Sequence, residues 1–149
     1  INSSASAITR LADIGCERFL IGATLHGVIA QRLVRMLCTH CRQARLASDA
    51  ERRLLGLIDD EKDRHVHDPR GCARCLGTGY RGRIGLFESL WIDTLLTDRI
   101  TAGDNEHELM KAARDYWSLA RDAQAKVLSG QTSLEEARPY LRLATLSGA

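Results

Sequence analysis

No apolar run in this sequence is long enough to cross a bilayer. About twenty such residues are needed, and the longest candidate, Phe19 to Ala30, is interrupted by His26 and Gly27. A membrane-spanning chain is therefore not expected. Charge of one sign is also lacking: 21 Lys and Arg face 19 Asp and Glu, a net charge of +2. Charge alone gives no support to nucleic-acid binding. Catalytic motifs are missing too. Lys62, Lys111 and Lys126 have no preceding Gly, so no G-x-x-x-x-G-K-[ST] phosphate loop is present. His107-Glu108 is not followed by a second His at the H-E-x-x-H spacing, and no serine sits in a G-x-S-x-G elbow. These absences exclude a self-contained nucleotide hydrolase, zinc protease or serine hydrolase. No repeat, low-complexity tract or basic apolar leader is visible. The opening residue is Ile1 rather than Met, which leads us to expect a piece of a longer protein.

What is present is ordinary globular composition and an unusual set of cysteines. Hydrophobic residues make up 44% and charged residues 27% of 149, enough for one compact domain or a helical part carrying a small stapled subdomain. Five cysteines, an odd count, do not form a secreted disulfide framework, and a reducing cytoplasm fits them better. Four fall in two C-x-x-C pairs, Cys38-Thr-His-Cys41 and Cys72-Ala-Arg-Cys75, separated by 30 residues. A C-x-x-C turn aims both thiolates at one point, and two such turns supply the four sulfurs of a closed structural zinc site. Cys38, Cys41, Cys72 and Cys75 are thus the candidate zinc ligands. Because no position is left open for water, the metal is expected to be structural rather than catalytic. A redox pair would need one C-x-x-C in a βαβ context, which the pattern does not offer. Arg42, Arg70, Arg74, Arg81 and Arg83 are expected to offset the negative charge of the thiolates. His40, His65 and His67 read as solvated loop residues, and Cys16 as a small buried hydrophobe.

The predicted fold class is mainly α. A first helix carries Ile8, Leu11, Ala12 and Ile14 and stops at Gly15. Ile21, Leu25, Val28, Ile29, Leu33, Met36 and Leu37 fall on helical spacing, predicting a second helix from Phe19 to Leu37 that leads directly to Cys38. A charged excursion follows, with helix over Glu51 to Ile58 and polar turns from Asp59 to Pro69. The glycine-crowded stretch after Gly71 leads into a strand or hairpin over Arg83 to Ile92. A short helix then runs from Asp93 to about Ile100. Asp104 is expected to cap a long helix through Leu109, Ala113, Tyr116, Trp117, Ala120, Val127 and Leu128, ended by Gly130. Ser133-Leu-Glu-Glu136 matches the capping box of a final helix that Pro139 kinks or shortens. The expected segments are 1–37, 38–92 and 93–149.

Several blocks together carry a resemblance. Ala7-Ile-Thr-Arg-Leu-Ala-Asp-Ile-Gly15, Ala30-Gln-Arg-Leu-Val-Arg35 before Cys38, Gly71-Cys-Ala-Arg-Cys-Leu-Gly-Thr-Gly-Tyr-Arg-Gly-Arg-Ile-Gly85 and Gly130-Gln-Thr-Ser-Leu-Glu-Glu136 resemble the C-terminal portion of the type II secretion and type IV pilus assembly ATPases. The resemblance covers nearly the whole chain. It implies a RecA-like hexameric motor on the cytoplasmic face of the inner membrane, using ATP and magnesium to drive pseudopilus or pilus assembly through a platform protein. The nucleotide-site motifs of that family precede the first block, so hydrolysis is expected of the parent and not of this segment. Residues 1–37 would continue the ATPase core, 38–92 form the tetracysteine zinc subdomain, and 93–149 the terminal helices. Partners implied are the rest of the subunit, neighbouring subunits and the platform protein, with no nucleic acid. Secretion and pilus motors share these blocks. A second class is a chaperone-type zinc module, since Cys72 to Gly79 matches one C-x-x-C-x-G-x-G unit of the DnaJ family. That family repeats the unit, whereas the first pair here is followed by Arg42-Gln-Ala-Arg45. A third class is a nucleic-acid-binding zinc ribbon, which would show itself by salt-dependent binding.

Overall fold

The computed structural model describes residues 3–57 and 63–146. Helices and long strands both build it: α1 (Ser4–Asp13), α2 (Arg18–Thr24), β1 (Gly27–Leu37), β2 (Gln43–Leu46), α3 (Asp49–Leu54), β3 (His65–Asp68), a 3-10 turn (Ala73–Cys75), β4 (Tyr80–Trp91), α4 (Thr94–Ala102), α5 (Glu106–Ala112), β5 (Tyr116–Trp117), α6 (Leu119–Leu128) and α7 (Leu134–Leu146). The class is mixed α/β, which corrects the mainly-α expectation. One sheet has the order β1-β4-β5 and a second pairs β2 with β3. No described helix is long and apolar enough to cross a membrane.

The largest correction lies at β1. The helix expected from Phe19 ends at Thr24, and residues 27–37 are extended. Burial there alternates residue by residue, with Ile29 at 61% and Leu33 at 53% exposure while Val34 and Leu37 are buried. Apolar residues stand on both sides of the strand, and their combined spacing imitated a helical stripe. β-branched Val28, Ile29 and Val34 suit the extended chain. The expected strand after Arg83 is present and longer, as β4. The long helix after Asp104 is instead α5 and α6 with β5 between them, and Asn105 rather than Asp104 caps α5, accepting the Glu108 N–H. The interruption serves the sheet: Ser89 pairs with Trp117 and Leu90 with Tyr116, and the Trp91 N–H donates to Asp115 O. The excursion also holds structure. Gln43–Leu46 and His65–Asp68 form an antiparallel ladder, the second strand falling where polar turns were expected, while α3 ends at Leu54 and residues 58–62 lie outside the described set.

The chain divides into two compact units, Ile1–Gln31 with Phe87–Ser118, and Arg32–Leu86 with Leu119–Ala149. In the first, Ala5, Ile8, Ile21, Leu90, Leu96, Ile100 and Leu109 form the core. Gly22 lets α2 approach α4, since a Cβ there would meet Thr101 Oγ1 at 2.8 Å. Glu88 is buried at 4% exposure and its Oε1 accepts the Ser4 N–H at 2.5 Å, tying the start of α1 to β4. Burial, with the Glu88 carboxylate alongside, pushes the Tyr116 hydroxyl up to about 12. Cys16, expected to be buried, is exposed. Its N–H closes the end of α1 on Leu11 O at 3.0 Å, with Gly15 N–H on Ala12 O, and this tight reversal leaves the thiol outside the core.

In the second unit Val34, Ala47, Val66, Leu86, Ala123, Val127, Ala137 and Leu141 are buried together. The Ser133 hydroxyl accepts the Glu136 N–H at 3.3 Å. The reciprocal half of the capping box is replaced: Glu136 takes the Arg35 N–H and guanidinium instead, at 2.7 and 2.9 Å. Arg35 also stacks 4.1 Å over the Tyr80 ring, whose hydroxyl meets Ser133 Oγ at 2.7 Å. Thus β1, β4 and the start of α7 are held by one set of polar contacts. Pro139 is accommodated within α7, which runs on to Leu146.

Candidate metal centre

Both cysteine pairs sit where a long strand meets a turn, in the second unit. β1 delivers Cys38, and the chain then reverses, with the Cys41 and Arg42 N–H groups donating to Cys38 O at 3.3 and 2.9 Å. The second turn repeats the arrangement: Cys75 and Gly77 N–H donate to Cys72 O at 3.3 and 2.9 Å. A backbone bond from Cys38 N–H to Gly79 O, 3.0 Å, joins the two turns. All four Sγ atoms lie within 4.8 Å of one another. Three separations are smaller: Cys38 to Cys72 3.8 Å, Cys41 to Cys75 3.8 Å and Cys72 to Cys75 3.7 Å.

These spacings discriminate between chemistries. A disulfide needs sulfurs about 2.05 Å apart, and none of these is close to that. A tetrahedron whose sulfurs stand about 2.3 Å from a central zinc has edges of about 3.8 Å. The donor set therefore fits a tetrahedral thiophilic cation, and Cys38 and Cys75 are buried while Cys41 and Cys72 are partly so.

The backbone prepares the sulfurs for charge. Gly71 N–H donates to Cys41 Sγ at 3.3 Å, and Cys72 and Gly79 N–H donate to Cys75 Sγ at 3.2 Å each. Burial disfavours ionisation at Cys75, but those two N–H groups together with the Cys72 and Cys41 thiols outweigh it and bring the thiol down to about 6. Burial is likewise overcome at Cys38 by the N–H groups of His40 and Cys41 with the Cys72 and Cys41 thiols, which together lower its pKa. At Cys41 burial wins over the single Gly71 donor, the other sulfurs add to it, and the thiol is pushed up to about 11. Four adjacent thiolates cannot coexist without a cation among them, so metal entry and proton release are linked here.

Gly79 was legible only as glycine crowding. Its φ is +80°, and a Cβ would stand 2.4 Å from Pro69 Cβ. Only glycine accommodates both the backbone and the contact. The sulfur-bonding N–H groups of Gly71, Cys72 and Gly79 left no separate sequence signal. The arginines near the cysteines act at most through charge: among the described residues none donates a hydrogen bond to sulfur, and Arg42 bonds Gly130 O at 2.5 Å. Of the histidines, His40 lies in the first turn, whereas His65 and His67 belong to β3 and are not among the clustered ligands. His67 is half-buried, and burial with Arg42 nearby lowers its pKa.

Fold and site together define a mixed α/β chain stapled by a tetracysteine cluster. The sequence matches the family described as Type II/IV secretion system protein over residues 1–138, and the chain belongs to that family. It is similar to the type II secretion system protein E of Aeromonas hydrophila, 43% identical over 136 residues, covering 91% of this chain and 27% of that protein. It is also similar to the type IV pilus assembly ATPase PilB of Thermus thermophilus, 41% identical over 138 residues, with 91% and 16% covered. With the type II secretion system ATPase E of Vibrio cholerae, identity is 40% over 138 residues, 91% of this chain and 27% of that one. The chain thus spans about a quarter or less of these relatives' lengths.

Proposed function

We propose that this chain is the zinc-binding segment of a cytoplasmic, membrane-peripheral hexameric ATPase that powers type II secretion or type IV pilus assembly. Its own role is structural. Cys38, Cys41, Cys72 and Cys75 hold one zinc, which locks two turns together and orders a surface for neighbouring subunits or the platform protein. ATP and magnesium are handled by motifs that precede this segment in the motor. The observation that carries the reading is the four-sulfur cluster, with its near-tetrahedral edges, inside a chain of this family.

The first unit supports a fit against further parts of the same subunit. Trp91, Phe87 and Ser89 alternate with buried Leu86, Glu88 and Leu90, and Ser89 pairs with Trp117. Gly27 lies under the Trp91 ring, where a Cβ would meet Cε3 at 2.7 Å, so Ile29 shares that sheet face. Ile29, Phe87, Trp91 and Trp117 are 37–61% exposed there. In mixed α/β folds such a sheet face is covered by other elements. Because this face draws on Ile29 as well as Trp91 and Trp117, the segment 1–37 is proposed to meet the motor core together with the end of 38–92 and the start of 93–149, the cysteine-bearing part of 38–92 being the zinc subdomain.

The test uses the parent gene. The coding sequence preceding Ile1 is expected to contain G-x-x-x-x-G-K-[ST], and its absence sinks the ATPase assignment. Replacing Cys72 and Cys75 together by serine in the parent is expected to abolish secretion or piliation in a complemented strain, whereas Cys16→Ser leaves it intact.

A further inference from the structure

Near the cysteine turns positive charge is in excess. Arg70, Arg74, Arg81 and Arg83 are exposed, and among the described residues none of them has an ion pair or hydrogen bond. Elsewhere in the same unit three arginines are matched, Arg35 with Glu136, Arg45 with Glu51 and Asp68, and Arg52 with Asp49. No Asp or Glu occurs between Met36 and Ser48 or between Pro69 and Phe87. A zinc-bound tetrathiolate carries about −2, which four guanidinium groups exceed, so the face stays positive.

Two of these arginines frame a hollow. Arg74 and Arg81, with Met36, Leu37, Thr39 and His40, enclose about 240 Å³ against the first cysteine turn. Two residues beyond Arg74, Leu76 is 89% exposed and held at φ +55°. A leucine is uncommon in that left-handed conformation, and here the second turn fixes it outward.

We infer that this face docks an acidic segment of a partner protein, its carboxylates between Arg74 and Arg81 and an apolar residue against Leu76. Arginine forks suit carboxylates in pairs. A membrane surface fits less well: one exposed leucine is too little for stable anchoring, which takes two signals, and a hollow accepts a side chain better than a flat array of headgroups. The inference deepens the assembly role proposed above and rests on it in that the metal holds the two turns in place.

The test titrates the full zinc-loaded chain with a fluorescein-labelled peptide of repeated Glu-Leu-Glu-Glu, its Gln-Leu-Gln-Gln counterpart, and phosphatidylglycerol vesicles, at roughly physiological salt. The Glu peptide is expected to bind and the Gln peptide not. Reversing Arg74→Glu and Arg81→Glu together weakens binding at least about tenfold, while Arg10→Glu with Arg53→Glu, the same change in net charge, alters it less than about twofold. Leu76→Asn, which tolerates the left-handed backbone, weakens it severalfold. Equal loss from the remote pair, no binding of the Glu peptide, or arginine-dependent binding of vesicles alone overturns the inference. Zinc is counted in every sample. Arginine-dependent peptide binding by a chain without zinc would sustain the docking face and refute the metal reading, while unchanged binding by the zinc-replete Arg74→Glu, Arg81→Glu chain would do the reverse.

Discussion

Replacing Gly79 by alanine is the sharpest probe of how the turns are built, because Gly77 in the same loop offers an internal control. Both have positive φ, +80° and +77°. A left-handed conformation costs a non-glycine residue about 1–2 kcal/mol. At Gly77 nothing lies within 4 Å of the new Cβ, so that cost stands alone. At Gly79 the Cβ meets Pro69 Cβ at 2.4 Å and Pro69 Cα at 3.0 Å, a rigid ring that cannot rotate away, and overpacking adds about 1–3 kcal/mol. The sum is about 2–5 kcal/mol for Gly79→Ala against about 1–2 for Gly77→Ala. For a chain of this size each kcal/mol moves the midpoint by about 2–4 °C, so Gly79→Ala melts on the order of 10 °C lower. Movement at Gly79 also displaces its N–H from Cys75 Sγ and its carbonyl from the Cys38 N–H, so zinc affinity falls with stability. Thermal melts and competition with a colorimetric chelator measure both. Equal losses from the two substitutions would refute this account of the loop.

Leu141 is fully buried in the second unit, and Leu141→Ala is expected to cost about 2–5 kcal/mol in urea unfolding. Glu51 is held down to about 2 from 4.5 chiefly by the Arg45 guanidinium. A depressed carboxylate stabilises the fold above its unfolded pKa and loses that contribution as pH falls through its folded one. The stability difference between the wild type and Glu51→Gln is therefore expected to be steady above pH 4.5 and to fade toward about pH 2. Since Arg45 is 41% exposed, solvent screening limits the difference to about 1 kcal/mol. Cys16 is exposed and outside the cluster, so Cys16→Ser retains full metal content and an unchanged melting midpoint; a loss of metal would mean that the ligand set is misassigned.

The cysteine cluster was legible because C-x-x-C spacing is a local device: each turn sets its own two sulfurs, and only their meeting requires the fold. Helix ends were legible for the same reason, as at Asp93, whose carboxylate accepts the Leu96 N–H, and at Ser133. The strand status of residues 27–37 was not. Its exposed face carries Ile29 and Leu33, so the period of two that marks a half-buried strand was filled in by apolar residues on the other side. β5 was hidden similarly, since Tyr116 and Trp117 fit a helical stripe as well as an edge strand and only their pairing with β4 decides. The arginines near the cysteines were close in sequence, yet backbone N–H groups at Gly71, Cys72 and Gly79 reach the sulfurs and the guanidinium groups do not. A backbone donor leaves no side-chain signature to read.

The most direct measurement is zinc and thiol counting on the chain purified in a reducing buffer without added metal. The account predicts one zinc per chain, one fast-reacting thiol, Cys16, and four that react only after chelation, with loss of the cooperative melt of the second unit. Substoichiometric zinc with all five thiols reacting at once, and a melt indifferent to chelator, would contradict it.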